Sequence, residues 1–120
     1  MFKIYTMIFL LVCTISSCGF PDYVYEGPVI TGEEVTAGIQ RAEAISGEEF
    51  KRELTVGTEV STHCPEWAMA CVATPNIIMV SEGYPIAAQV CHEVLHIIAL
   101  DHHDVWDSYH HLYDYGACNV

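Results

Sequence analysis

Positive charge is what this 120-residue chain has least of: four Lys and Arg stand against 16 Asp and Glu, a formal net charge of −12. Coulomb repulsion opposes docking of so acidic a surface on nucleic acid or on an anionic membrane, so neither is expected as a charge-driven partner. No CxxC pair occurs among the six cysteines, which removes the usual all-cysteine zinc site. Internal repeats and low-complexity tracts are absent. The one long apolar run outside a helical pattern, from Ile4 to Ile15, follows a single charge at Lys3 and is too short to span a bilayer comfortably.

That run reads as an export signal. It ends in Ile15-Ser16-Ser17-Cys18, which resembles the bacterial lipobox, where small residues precede a cysteine that becomes the lipid-bearing first residue. The expected organisation is a lipoprotein signal peptide at 1–17, a tether at 18–30 that can end in a strand, and a single domain at 31–120. The expected location is outside the cytoplasm, held to a bacterial membrane by lipid on Cys18 and facing the periplasm or exterior. Cys13 leaves with the signal. Removing residues 1–17 leaves 103 residues, enough for one modest core and too few for two. Four cysteines remain, Cys64, Cys71, Cys91 and Cys118, an even number in an exported chain. They read as two disulfides with three connectivities open to them, of which Cys64 with Cys71 and Cys91 with Cys118 is the expected one.

Along the domain, Thr31-Gly32-Glu33-Glu34 has the pattern of a capping box. Val35, Ile39, Ala42 and Ile45 then recur at helical spacing until Ser46-Gly47, which predicts a first amphipathic helix despite Gly38. Residues 49–56, with Phe50, Leu54 and Val56 separated by polar positions, read as a half-buried strand, and residues 76–81 (NIIMVS) as a second. Cys64 to Cys71 reads as a loop. Pro85 opens an apolar segment to Leu100 that is long enough for a helix, with proline where a first turn accepts it. The tail from Asp101 onward, rich in His, Asp and Tyr, has no clear period and reads as loop.

The chemistry sits in the second helix. His92-Glu93-Val94-Leu95-His96 is HExxH, and residues four apart on a helix lie on one face about one turn, roughly 6 Å, apart. Both imidazoles can therefore reach one zinc ion. Glu93, turned about 100° from His92, stays out of the ligand set but lies where a carboxylate can take a proton from an attacking water. A catalytic zinc takes three protein ligands and keeps one position open, so a third ligand must come from downstream. On an unbroken helix His103 shares the face of His92 and His96, but about 10 Å of rise separates it from His96, far beyond a zinc bond of about 2 Å. The chain must turn for any third ligand to arrive.

The stretch His92 to His102, HEVLHIIALDH, resembles the HExxHxxGxxH signature of the metzincin metallopeptidases, with wording especially similar to the matrixin-like members. The resemblance implies His92, His96 and His102 as zinc ligands and Glu93 as general base. It also implies a turn at position 99 that returns His102 to the metal. Two departures stand out: Ala99 occupies the glycine position, and no methionine follows Met79 to supply the methionine turn of that family. Eleven residues carry the likeness. No glutamate follows Glu93, which excludes a downstream glutamate ligand, while His103, Asp107 and Asp114 stay open as alternatives to His102. His110 and His111 read as solvated tail residues and His63 as a loop residue. Trp67 and Trp106 read as loop or minor core anchors, and Asp101 and Asp104 as turn residues able to orient an imidazole. By the same resemblance, residues 76–81 would offer a strand edge to an extended peptide.

The expectation is an α+β domain, a minimal metzincin-like fold in which a small twisted sheet packs on an N-terminal helix and a zinc-binding active-site helix. Its expected function is zinc-dependent hydrolysis of peptide bonds in a peptide or protein substrate, by a monomer. The competing readings are a lipoprotein that binds zinc without catalysis and a metal-free interaction module at the cell surface.

Overall fold

The computed structural model describes residues 24–119. The expected signal, the lipid site at Cys18 and the first part of the tether lie outside the described residues. A short strand, β1 (Val29–Ile30), leads into helix α1 (Glu33–Ser46). Instead of a capping box, Gly32 takes the N-cap position at φ 103°, a backbone state that favours glycine, and no side chain caps the helix. Gly47 ends it in the left-handed conformation at φ 71°, its N–H bonded to the Glu43 carbonyl. Strand β2 (Thr55–Gly57), a single helical turn α2 (Val60–His63), strands β3 (Cys71–Thr74) and β4 (Ile77–Met79), helix α3 (Ile86–His103) and a 3-10 helix (Tyr115–Asn119) follow.

The architecture is α+β. The four strands form one mixed sheet in the order β1-β2-β4-β3, with β2 and β4 parallel and the outer strands antiparallel to their neighbours. Residues 76–81 thus contain β4, which is interior, paired on one side with β2 and on the other with β3. The free edge on that side of the sheet belongs to β3, a strand whose short mixed sequence carries no clean alternation. The core joins Val56, Ile78 and Val80 of the sheet region to Ala42 of α1 and to Val90, Val94, Leu95, Ile97 and Ile98 of α3, all essentially without solvent contact. Burying that many branched aliphatic side chains, at about 1.5–3 kcal/mol each, is the main stabilising contribution.

Helix α3 is the spine. Gln89 accepts the N–H of Ser81 at 2.8 Å and donates to its carbonyl at 2.9 Å, fixing the β4-to-α3 connection. Gly38 lets α1 approach closely, because a Cβ there would come within 2.6 Å of Val90 Cβ and 2.8 Å of the Ala87 carbonyl oxygen. At the far end α3 runs past Ala99 and stops at Asp104, in the left-handed conformation at φ 57°. Arg52 clamps this last stretch by a two-pronged bond to Asp101 at 2.6 and 2.7 Å. Two disulfides, Cys64–Cys71 and Cys91–Cys118, close the structure in the expected pairing. They suit an oxidising environment. No helix among the described residues is long and apolar enough to cross a membrane.

Candidate metal centre

His92 and His96 occupy one face of α3, their ring centroids 5.1 Å apart. The histidine that meets them is His110. Its Nε2 lies 3.1 Å from His92 Nε2 and 3.2 Å from His96 Nε2, and one donor atom from each of the three residues falls within 4.8 Å of the others. Nitrogens each about 2.0–2.1 Å from a tetrahedral metal stand roughly 3.3 Å apart, so this spacing fits a three-imidazole ligand set.

The expected third ligand, His102, is elsewhere. Because α3 continues unbroken to His103, His102 stands about 9 Å further along the axis than His96 and about 240° around it. Its Nε2 meets the Glu49 carbonyl at 2.8 Å. His103 meets Glu48 Oε1 at 2.7 Å, and the other oxygen of Glu48 accepts the Tyr113 hydroxyl at 2.9 Å. Alanine, the best helix former, sits fully buried at position 99 and gives the chain no reason to turn there. The turn comes five residues later, at Asp104.

A tight loop delivers His110. Asp107 and His110 both adopt positive φ, 52° and 57°. The Asp107 carboxylate accepts the backbone N–H of His111 and of Leu112, each at 2.9 Å, and the Tyr115 hydroxyl at 2.8 Å. Aspartate tolerates this backbone and satisfies it locally, the usual chemistry of an Asx-type turn. Although burial alone would raise it, these donors hold the Asp107 carboxyl below its ordinary range. Asp107 is thus a loop anchor and not a member of the imidazole cluster, and Asp101 is spent on Arg52.

The electrostatics suit a metal. His96 Nδ1 lies 2.7 Å from the Trp106 carbonyl, which only accepts, so this nitrogen carries the proton and Nε2 turns a lone pair toward the cluster. Burial, with the neighbouring His96 and His110, pushes His92 down to about 4. His96 is lowered too, chiefly by burial. Neutral imidazoles are what a metal requires. Glu93 is the one buried charged side chain among the described residues, 8% exposed, and burial raises its pKa to about 7. Its Oε2 lies 4.0 Å from His92 Nε2, beside the cluster and outside it.

The cluster opens to solvent through a cleft of about 430 Å³. Its lining includes Trp67 and Pro65 of the disulfide loop, Val72 of the free-edge strand β3, and Trp106 and Ser108 of the tail. A second cavity of about 380 Å³, bordered by Met69, Tyr84 and Pro85, adjoins the first and shares Trp67, His92 and Glu93 with it. No family model, no curated protein and no solved structure matches the chain. The site is therefore read from its own geometry. Sequence reasoning missed His110, Trp67 and Trp106 as site residues. The usable signal for His110 was Cys91 beside His92: a bridge from Cys91 to Cys118 must draw the intervening tail across the motif.

Proposed function

We propose that the protein is a zinc-dependent endopeptidase acting outside the cytoplasm, with His92, His96 and His110 as ligands and Glu93 as general base. The observation that carries this is the convergence of three imidazoles, with His110 Nε2 at 3.1 and 3.2 Å from the Nε2 atoms of His92 and His96, beside a buried carboxylate in an open cleft. Zinc, when bound, supplies Lewis acidity that polarises a scissile carbonyl and makes an attacking water acidic. Glu93 accepts the proton of that water and returns it to the departing amine, from a buried position beside the imidazoles. The three imidazoles leave one side of the site facing the cleft, and the free edge of β3 offers backbone groups to an extended chain. The metzincin-like wording of the motif agrees with this chemistry, with His110 in place of His102 as third ligand. Lipid attachment through Cys18 to a bacterial membrane belongs to the same proposal.

The test is cleavage of a peptide library by the purified full chain, with and without a chelator. Activity should be lost on metal removal and restored by Zn²⁺. Glu93→Gln should keep the metal and lose about 10²–10⁴-fold in rate, the span typical of a positioned general base. Zinc binding without cleavage of any peptide would favour a non-catalytic metal-binding protein.

A further inference from the structure

Behind the three imidazoles lies one aromatic ring. Tyr115 has its ring centroid 5.1 Å from that of His92, 5.0 Å from His96 and 4.7 Å from His110. It is 6% exposed and borders neither cavity of the cleft, so it meets the cluster from the solid side of the protein. Its hydroxyl is turned away to Asp107, the residue that shapes the loop carrying His110. Its backbone begins the 3-10 helix that Cys118 staples to Cys91, next to His92, and the Cys118 carbonyl accepts a bond from Arg41 of α1.

We propose that Tyr115 is a positioning residue, the floor of the metal centre, whose ring sets the spacing of the three imidazoles and shuts water out from behind them. This inference rests on the metal-binding reading above. A flat ring held by a disulfide on one side and a carboxylate on the other fixes all three side chains before any metal arrives. Such orienting groups typically contribute about 10–100-fold to metal affinity. The hydroxyl acts on the loop and the ring acts on the ligands, so the two roles separate on substitution.

The experiment uses the full chain, with Zn²⁺ affinity measured by competition against a chromophoric chelator and Co²⁺ absorption as the signature of ligand geometry. Tyr115→Phe keeps the ring and should hold affinity within about threefold, with an unchanged Co²⁺ spectrum, whereas Tyr115→Leu should lose about 10–100-fold and alter the spectrum. If Tyr115→Leu does not fold, nuclear Overhauser contacts in the unsubstituted, Zn²⁺-loaded protein decide the matter. Contacts from the Tyr115 ring to all three imidazoles support the proposal, and their absence overturns it. A leucine variant with native affinity and spectrum also overturns it, as does a phenylalanine variant as impaired as leucine. If the unsubstituted protein binds no zinc, the metal reading falls and takes this with it. If that protein binds zinc and the leucine variant is indifferent, this inference alone falls.

Discussion

Glu93 costs the metal-free fold stability in a way that pH exposes. Its carboxyl is raised from 4.5 to about 7 by burial, so between those values the folded chain keeps a proton that the unfolded chain has released. Stability from this residue is therefore full below about 4.5, falls as pH rises, and levels off above about 7. Glu93→Gln removes the dependence. In denaturant titrations of the metal-free proteins, the variant should gain on the unsubstituted protein between pH 4.5 and 7. The gain should approach the order of 3 kcal/mol at pH 8, because each tenfold change in proton affinity is worth about 1.4 kcal/mol. His92, lowered to about 4, works in the opposite sense: its contribution is lost as pH falls from 6.5 toward 4. Both proteins share that contribution, so the difference between them isolates Glu93. Equal stability at all pH values would place Glu93 in solvent.

Helix α3 explains which parts of the structure were legible in the sequence. Its apolar run and opening proline predict the helix, and HExxH spacing puts two imidazoles on one face of it with the carboxylate beside them. Its end is not legible, because the resemblance implies a turn at position 99 while the residue there, a buried alanine, favours continuation. Ala99→Gly should accordingly lose about 1–2 kcal/mol, from helix propensity and the lost methyl, where a turn at that position would have made it neutral. Gly38→Ala should also destabilise, by about 1–3 kcal/mol, although alanine is the better helix former. The added methyl would press on Val90 and on the Ala87 carbonyl, and overpacking outweighs a propensity gain of about 1 kcal/mol. Thermal or urea unfolding checks both. Strand β3 was illegible for a different reason: it is short and half-buried, and its ladder with β4 breaks register between Val72 and Thr74.

The tail brings the third imidazole, His110, to the two on α3. Without the 104–119 segment folded back over α3, two histidines on one helical turn would face solvent with no third partner. The tail's period-free sequence gave no element to read, and its course is set by Asp107 and by the Cys91–Cys118 bridge, which are long-range or loop features. That bridge spans 27 residues, and loop-closure entropy gives it about 3–4 kcal/mol. Replacing both cysteines with alanine should lower stability by that order, and lower Zn²⁺ affinity at least about tenfold by loosening Tyr115 and His110 together. Replacing Cys64 and Cys71 should leave the affinity largely intact, since that loop walls the cleft without holding a ligand. Calorimetric titration of Zn²⁺ into the full chain, beside His110→Ala and His102→Ala, decides which histidines hold the metal. One site is expected in the unsubstituted protein, with a loss of roughly two orders of magnitude or more for His110→Ala and little change for His102→Ala. Loss of the metal from His102→Ala, with His110→Ala still binding tightly, would contradict His110 as the third ligand.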